Sequence, residues 1–233
     1  MSTDNTKIER KDTFSHHFDS QSHEYEACKQ GVWLFMVTEF MMFGGLFVGY
    51  FIYRAKYPDM YIAGGDSLNW KLGALNTLVL LISSFTMAQA VTDTMKGLNK
   101  KALRNVIITV LCAITFLVVK YFEYTAKFHH GLFPATGFWN PDMSYIASHI
   151  RDTGLMENFS SDNLRLFYVI YFAMTGLHGL HITIGIGLMI WIMRRLKRDE
   201  FGPKYYTAVE GVGIYWHIVD IIWIFLFPLM YLI

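Results

Sequence analysis

Cysteine is almost missing from this chain: of 233 residues only Cys28, in a polar segment, and Cys112, inside an apolar run, carry a thiol. Their different surroundings argue against a disulfide, and neither belongs to a spaced metal motif. Proline is scarce too, at five residues. No internal repeat is visible and no apolar runs are broken by Gly or Pro in paired positions, which argues against the inverted halves of many secondary transporters. The opening stretch "MSTDNTKIERKDTFSHHFDSQSHEYEACK" lacks an apolar core, so no cleaved signal is expected and residues 1–30 read as a polar, solvated tail. A basic patch is also lacking. Lys and Arg number 20 against 19 acidic residues and sit between apolar runs, so nucleic acid is not an expected partner.

What the chain has is apolar and aromatic mass. Hydrophobic residues make up 53% and aromatics 17%, too much for an ordinary soluble domain. Five runs, at about 31–53, 72–92, 102–122, 166–193 and 211–232, are each long enough to span a bilayer core of roughly 30 Å. The expected fold is therefore an all-α membrane protein, a bundle of five transmembrane helices following the tail. An odd number of spans puts the termini on opposite sides.

Sidedness comes from the loops. Thirteen Lys and Arg fall in the N-terminal segment, the second-to-third connection (Lys96, Lys100, Lys101, Arg104) and the fourth-to-fifth connection (Arg194, Arg195, Lys197, Arg198, Lys204). The other side carries six: Arg54, Lys56, Lys71, Lys127, Arg151 and Arg165. The positive-inside bias predicts a cytoplasmic N-terminus and a periplasmic C-terminus. The external loop, about 125–163, is aromatic and interrupted by Pro134 and Pro141, which predicts a packed cap.

Ionisable groups inside spans are the candidate functional residues, because charge at membrane depth needs a partner. In the last run Glu210 and His217 are seven residues apart, with Asp220 a turn further, forming one polar stripe; Trp216 and Trp223 fall on its other faces, toward lipid or apolar packing. In the fourth, His178 and His181 lie a turn apart amid Gly176, Gly179, Gly185 and Gly187, which permit close helix approach. The expectation is that the two stripes meet in a hydrogen-bond network. Two bis-His haems would need four axial imidazoles at matched depth, and these spans supply at most three. Glu39 stands alone in the first span, with Gly45 and Gly49 beyond it as an approach point. Asn76 and Thr77 are expected to make interhelical hydrogen bonds, and Lys120 and Glu123 to anchor the third span at the outer interface or to pair. The Met36, Met41 and Met42 cluster reads as packing. No catalytic residue and no metal site is expected in this chain.

Four segments taken together, "LFMVTEFMMFGG", "LGALNTLVLL", "MTGLHGLHITIG" and "VEGVGIYWHIVDIIWIFLF", resemble subunit III of the haem-copper oxidases, in order and from about residue 30 to the end. By that resemblance Glu39 is the family's carbodiimide-reactive carboxylate. Asn76 and Thr77, Glu123 and Tyr124, His178 and His181, and Glu210, Trp216, His217, Asp220 and Trp223 match its signatures, and Arg194 its lipid-headgroup arginine. Long members have seven spans whose first two enclose a lipid cleft; here only the five that follow are present, and Lys120 stands where many relatives carry Gln.

The resemblance implies an accessory subunit of a proton-pumping cytochrome c oxidase in a bacterial inner membrane. It would stabilise subunit I, bind phospholipid and support proton uptake, with haem and copper held by the partner subunits I and II and none by this chain. A respiratory supercomplex is a more remote partner. Rival readings are the equivalent subunit of a quinol oxidase or nitric oxide reductase, a proton-coupled membrane transporter, and a haem-b anchor.

Overall fold

In hydrocarbon a backbone must satisfy its own hydrogen bonds, so long apolar runs become helices whatever their neighbours. The computed structural model describes residues 21–135, 137–150, 154, 160–203 and 205–233, and these form seven helices. They are α1 (Gln21–Lys56), α2 (Pro58–Asp66), α3 (Trp70–Met95), α4 (Asn99–His129), α5 (Met143–His149), α6 (Ser161–Leu196) and α7 (Thr207–Tyr231). Five of them, α1, α3, α4, α6 and α7, are long and apolar enough to cross a membrane. The expected all-helical, five-span bundle is thus observed.

Helix starts follow local chemistry. The Asn69 side chain accepts from Lys71 N–H and Leu72 N–H at the head of α3, and Ser160 Oγ accepts from Asn163 N–H at the head of α6. Helix α2 begins with Pro58, whose fixed φ suits a first helical turn. It lies between the first two apolar runs, where hydropathy marks no span. Its Met60, Tyr61 and Ala63 are buried, and Ser67 Oγ, just beyond it, lies 2.7 Å from Tyr168 Oη of α6. The spans also run past the apolar stretches. Helix α1 is already formed at Gln21, ten residues before its apolar run, and α4 continues to His129, so the external connection begins at His130. In that connection Leu132 and Trp139 pair across an isolated antiparallel bridge, and Leu132 and Ile146 are buried.

Helix α7 is the central element: half of its most apolar stretch is buried inside the bundle, against 11% for α1 at the periphery. Its Trp216 and Trp223 are fully buried, as are Phe116 of α4 and Phe167, Tyr168 and Tyr171 of α6. At one end of the bundle Asn99 Nδ2 donates to Asp199 Oδ1 and to Phe201 O, both at 3.0 Å, tying the α3–α4 turn to the α6–α7 loop. Glu210 at the head of α7 meets Lys29 of α1 at 3.7 Å at that same end. Lys29, the α3–α4 turn and the α6–α7 loop therefore lie at one end of the bundle.

Candidate functional site

Each candidate polar side chain sits on a membrane helix, and the question is which neighbour it meets. Glu39 of α1 is not alone. Its Oε2 lies 2.8 Å from His181 Nε2, while His181 Nδ1 is 2.7 Å from Leu177 O one turn back on α6. A carbonyl can only accept, so Nδ1 carries a proton. Phe43 packs edge-on against the same imidazole, with centroids 5.3 Å apart, and Tyr215 Oη donates to His181 O from α7.

The expected meeting of the α7 stripe with the two α6 histidines does not occur. Glu210 accepts from Tyr25 Oη at 2.8 Å and so links α7 to α1. His217 Nδ1 is 2.7 Å from Ser84 Oγ of α3. Asp220 is buried with neither carboxylate oxygen partnered among the described residues. His178 is buried between Phe116 and Trp223, its ring stacked on the indole at 5.2 Å, and both nitrogens lack partners among the described residues. The physical reason is the bulk on α7. The Trp216 ring closes on Gly185, Trp223 stacks on His178 and Tyr215 reaches His181 O, so aromatic side chains fill the α6 side of α7, while Glu210 and His217 meet α1 and α3. Trp216 and Trp223, assigned by sequence to lipid or apolar faces, instead make interior hydrogen bonds, their Nε1 atoms donating to Ser83 Oγ at 3.1 Å and Thr77 Oγ1 at 3.0 Å.

Close approach by glycine is equally selective. A methyl at Gly185 would meet the Trp216 ring at 2.7 Å, and one at Gly213 would meet Val91 Cγ2 of α3 at 2.9 Å. Gly179, Gly187, Gly45 and Gly49 face no neighbour within 4 Å and Gly176 only Tyr124 Oη at 3.8 Å, so the one close approach among the expected glycines is at Gly185 on α6. Thr77 makes the expected interhelical bond, but Asn76, fully buried beside it, has neither amide atom partnered among the described residues.

Lys120 and Glu123 pair, one of the two expected outcomes, and the pair is buried beside Tyr231 at the end of α7. Lys120 Nζ donates to Glu123 Oε2 at 3.0 Å, to Tyr231 Oη at 2.8 Å and to Tyr171 Oη at 3.1 Å. Both tyrosines in turn donate to the carboxylate, Tyr231 at 2.7 Å and Tyr171 at 2.9 Å to Oε1. The ammonium is ringed by Tyr124, Tyr171, Trp223 and Tyr231, each centroid within 5.5 Å. Lys127, also buried, lies 5.5 Å from the Tyr171 centroid. Sequence reasoning missed Tyr171, Tyr231, Lys127, Ser83 and Ser84. A tyrosine tip or a serine in an apolar run is too common to mark a site. Tyr124 Oη bonds Thr175 Oγ1 at 2.6 Å. Arg194 is exposed in the last turn of α6, next to Arg195, whose Nε donates to Glu200 at 2.7 Å.

Two cavities border this framework. A groove of about 820 Å³ lies between α1, the α6–α7 loop and α7, walled by Val32, Phe35, Met36, Leu188 and Trp191 and including Lys29. A smaller cleft of about 250 Å³ opens between α3 and α7 at Ser84, His217 and Asp220. Among the described residues no three His, Cys, Asp or Glu side chains come together as a metal-ion set.

The class so defined is a multi-pass helical membrane protein in which buried polar side chains link helix to helix. The family described as cytochrome c oxidase subunit III matches residues 6–140 and 156–233. Cytochrome c oxidase subunit 3 of Synechocystis sp. is 31% identical over 204 residues, covering 87% of this chain and 74% of the relative. The subunit of the same name from Thermostichus vulcanus is 29% identical over 87% of this chain and 86% of its own. A protein named "Probable quinol oxidase subunit 3" from Staphylococcus saprophyticus is 29% identical, covering 92% of this chain and 93% of the relative. The chain belongs to the cytochrome c oxidase subunit III family.

Proposed function

We propose that this chain is the accessory subunit III of a proton-pumping cytochrome c oxidase in a bacterial inner membrane, with its N-terminus cytoplasmic and Ile233 periplasmic. In this reading oxygen is reduced in subunit I and subunit II receives the electrons. Haem and copper reside in those partners, and this chain holds its helices in register beside them, binds phospholipid and supports proton uptake. A supercomplex is a further setting for it. The observation that carries the reading is that the family match takes in all five membrane helices and every polar link between them.

The chain's own residues suit a scaffolding role. Glu39 and His181 join the peripheral α1 to α6, and the Lys120–Glu123 cluster joins α4 to α6 and α7. The exposed Arg194 guanidinium suits a phosphate by bidentate hydrogen bonding, and the apolar groove walled by Phe35 and Trp191 is of a size for acyl chains. The test is purification through a tag on this chain in mild detergent. Haem-containing subunits are expected to come with it in fixed ratio, and recovery of the chain alone overturns the proposal.

The quinol oxidase reading keeps a specific support, the relative of that name matched along 93% of its length. Turnover of the purified complex with reduced cytochrome c, set against turnover with a quinol, separates the two.

A further inference from the structure

We propose that the Ser84–His217–Asp220 cleft is where α3 and α7 receive a transmembrane helix of a partner subunit, one that places a hydrogen-bond donor side chain against Asp220. The inference rests on the reading of this chain as a complex subunit. Asp220 is the fourteenth of the twenty-five residues of α7, so its depth is that of the bilayer middle. Asp220 is 2% exposed, yet both carboxyl oxygens lack partners among the described residues.

Of the hydroxyls beside it, Ser83 Oγ donates to Leu80 O at 2.7 Å and accepts from Trp216 Nε1, and Ser84 Oγ lies 2.7 Å from His217 Nδ1. The cleft they border, about 250 Å³, exceeds the roughly 30 Å³ share of one water several-fold. Its remaining walls are Leu80, Leu81, Ile221 and Ile224. Leu81, Ile221 and Ile224 are 40 to 49% exposed, which makes an apolar rim around a polar floor.

That combination decides the occupant. An acyl chain would cover the rim but leave a carboxylate and an imidazole nitrogen facing hydrocarbon, where unsatisfied polar groups are costly. A helix packed on the rim covers the same apolar surface, and a Ser, Thr, Asn, Gln, Tyr, Trp, Lys or Arg projecting into the cleft gives Asp220 its missing donor. A carboxyl oxygen in either protonation state accepts, so a donor is the chemistry that satisfies Asp220.

The experiment places a benzoylphenylalanine photo-cross-linker at Leu81 and, separately, at Ile224 in the full chain, expressed with its complex and irradiated in native membranes. Expected is a covalent adduct with a transmembrane peptide of a co-purifying subunit, within one helical turn of a donor residue. Asp220→Leu should lower that adduct at least fivefold, and Asp220→Asn, which keeps an acceptor oxygen, should stay within twofold. If Asp220→Leu fails to assemble, the adducts on the otherwise unaltered chain still decide. Adducts confined to lipid, to a second copy of this chain, or to a peptide without a donor in reach overturn the inference while co-purifying haem subunits leave the subunit reading standing. Should no other subunit co-purify, both fall.

Discussion

Glu39 Oε2 and His181 Nε2, 142 residues apart in sequence, sit 2.8 Å from one another and join the peripheral α1 to α6. Helix α1 is the least buried of the five spans, so this pair, the Glu210 contacts and the Tyr50 hydroxyl donating to Leu229 O carry much of its fixation. Glu39→Ala and His181→Ala each leave one polar group unsatisfied in a low-dielectric setting, at a cost of about 1–3 kcal/mol. The double substitution should cost no more than the worse single one, because contacting residues are non-additive. Thermal inactivation midpoints of the four proteins in one detergent measure this, and simple additivity defeats it.

The Lys120–Glu123 cluster predicts an asymmetry. Removing Glu123 strands two buried cations, Lys120 and Lys127, whereas removing Lys120 leaves the carboxylate with Tyr171 and Tyr231 as donors. Breaking a buried pair from one side costs about 3–5 kcal/mol, and replacing both partners by apolar residues of similar volume is often near neutral. Glu123→Leu should therefore destabilise more than Lys120→Met, with the double variant closer to the parent than Glu123→Leu. Equal effects of the two single changes would count against this geometry.

Packing at Gly185 gives a third expectation. Gly185→Ala places a methyl 2.7 Å from the Trp216 ring, whose Nε1 is held by Ser83, and overpacking of this kind costs about 1–3 kcal/mol. Gly187→Ala, with nothing within 4 Å, should leave the melting midpoint unchanged. A matched response at both positions would mean that the α6–α7 contact is placed wrongly.

Outside the membrane, Asp142 caps α5. Its carboxyl is held below the ordinary carboxylate range by the Ser144 hydroxyl first, then by Tyr145 N–H, His130 and Ser144 N–H. A depressed carboxyl contributes stability that is present above its ordinary value of 3.8 and lost as pH falls through the lower folded value. Amide exchange across residues 143–149 should accordingly rise on acidification below about pH 4. Asp142→Asn, which retains a capping oxygen, should flatten that dependence.

The charge bias of thirteen Lys and Arg on one side against six on the other predicts sidedness. Reporter fusions at Asn99 and Lys197 should read cytoplasmic and one at Met143 periplasmic. Reversal of any one removes the proposed orientation.

The amino-acid sequence by itself determined the number and approximate place of the five spans, the identity of their ionisable residues and the family. Each of these depends on local chemistry: an apolar run of sufficient length must satisfy its own backbone in lipid, and motif residues are read in place. Partner choice was decided by the tertiary structure alone. Helical periodicity puts Glu210, His217 and Asp220 along one stripe but does not say which helix that stripe faces. Lipid tails are as apolar as leucine, so nothing in hydropathy distinguishes the α6 side of α7 from the α3 side. Steric fit does: Trp216 closes on Gly185, which turns the polar stripe of α7 to Ser84 on α3 and to Tyr25 on α1. It leaves His181 to Glu39, and it leaves Asp220 buried with both oxygens unpartnered among the described residues.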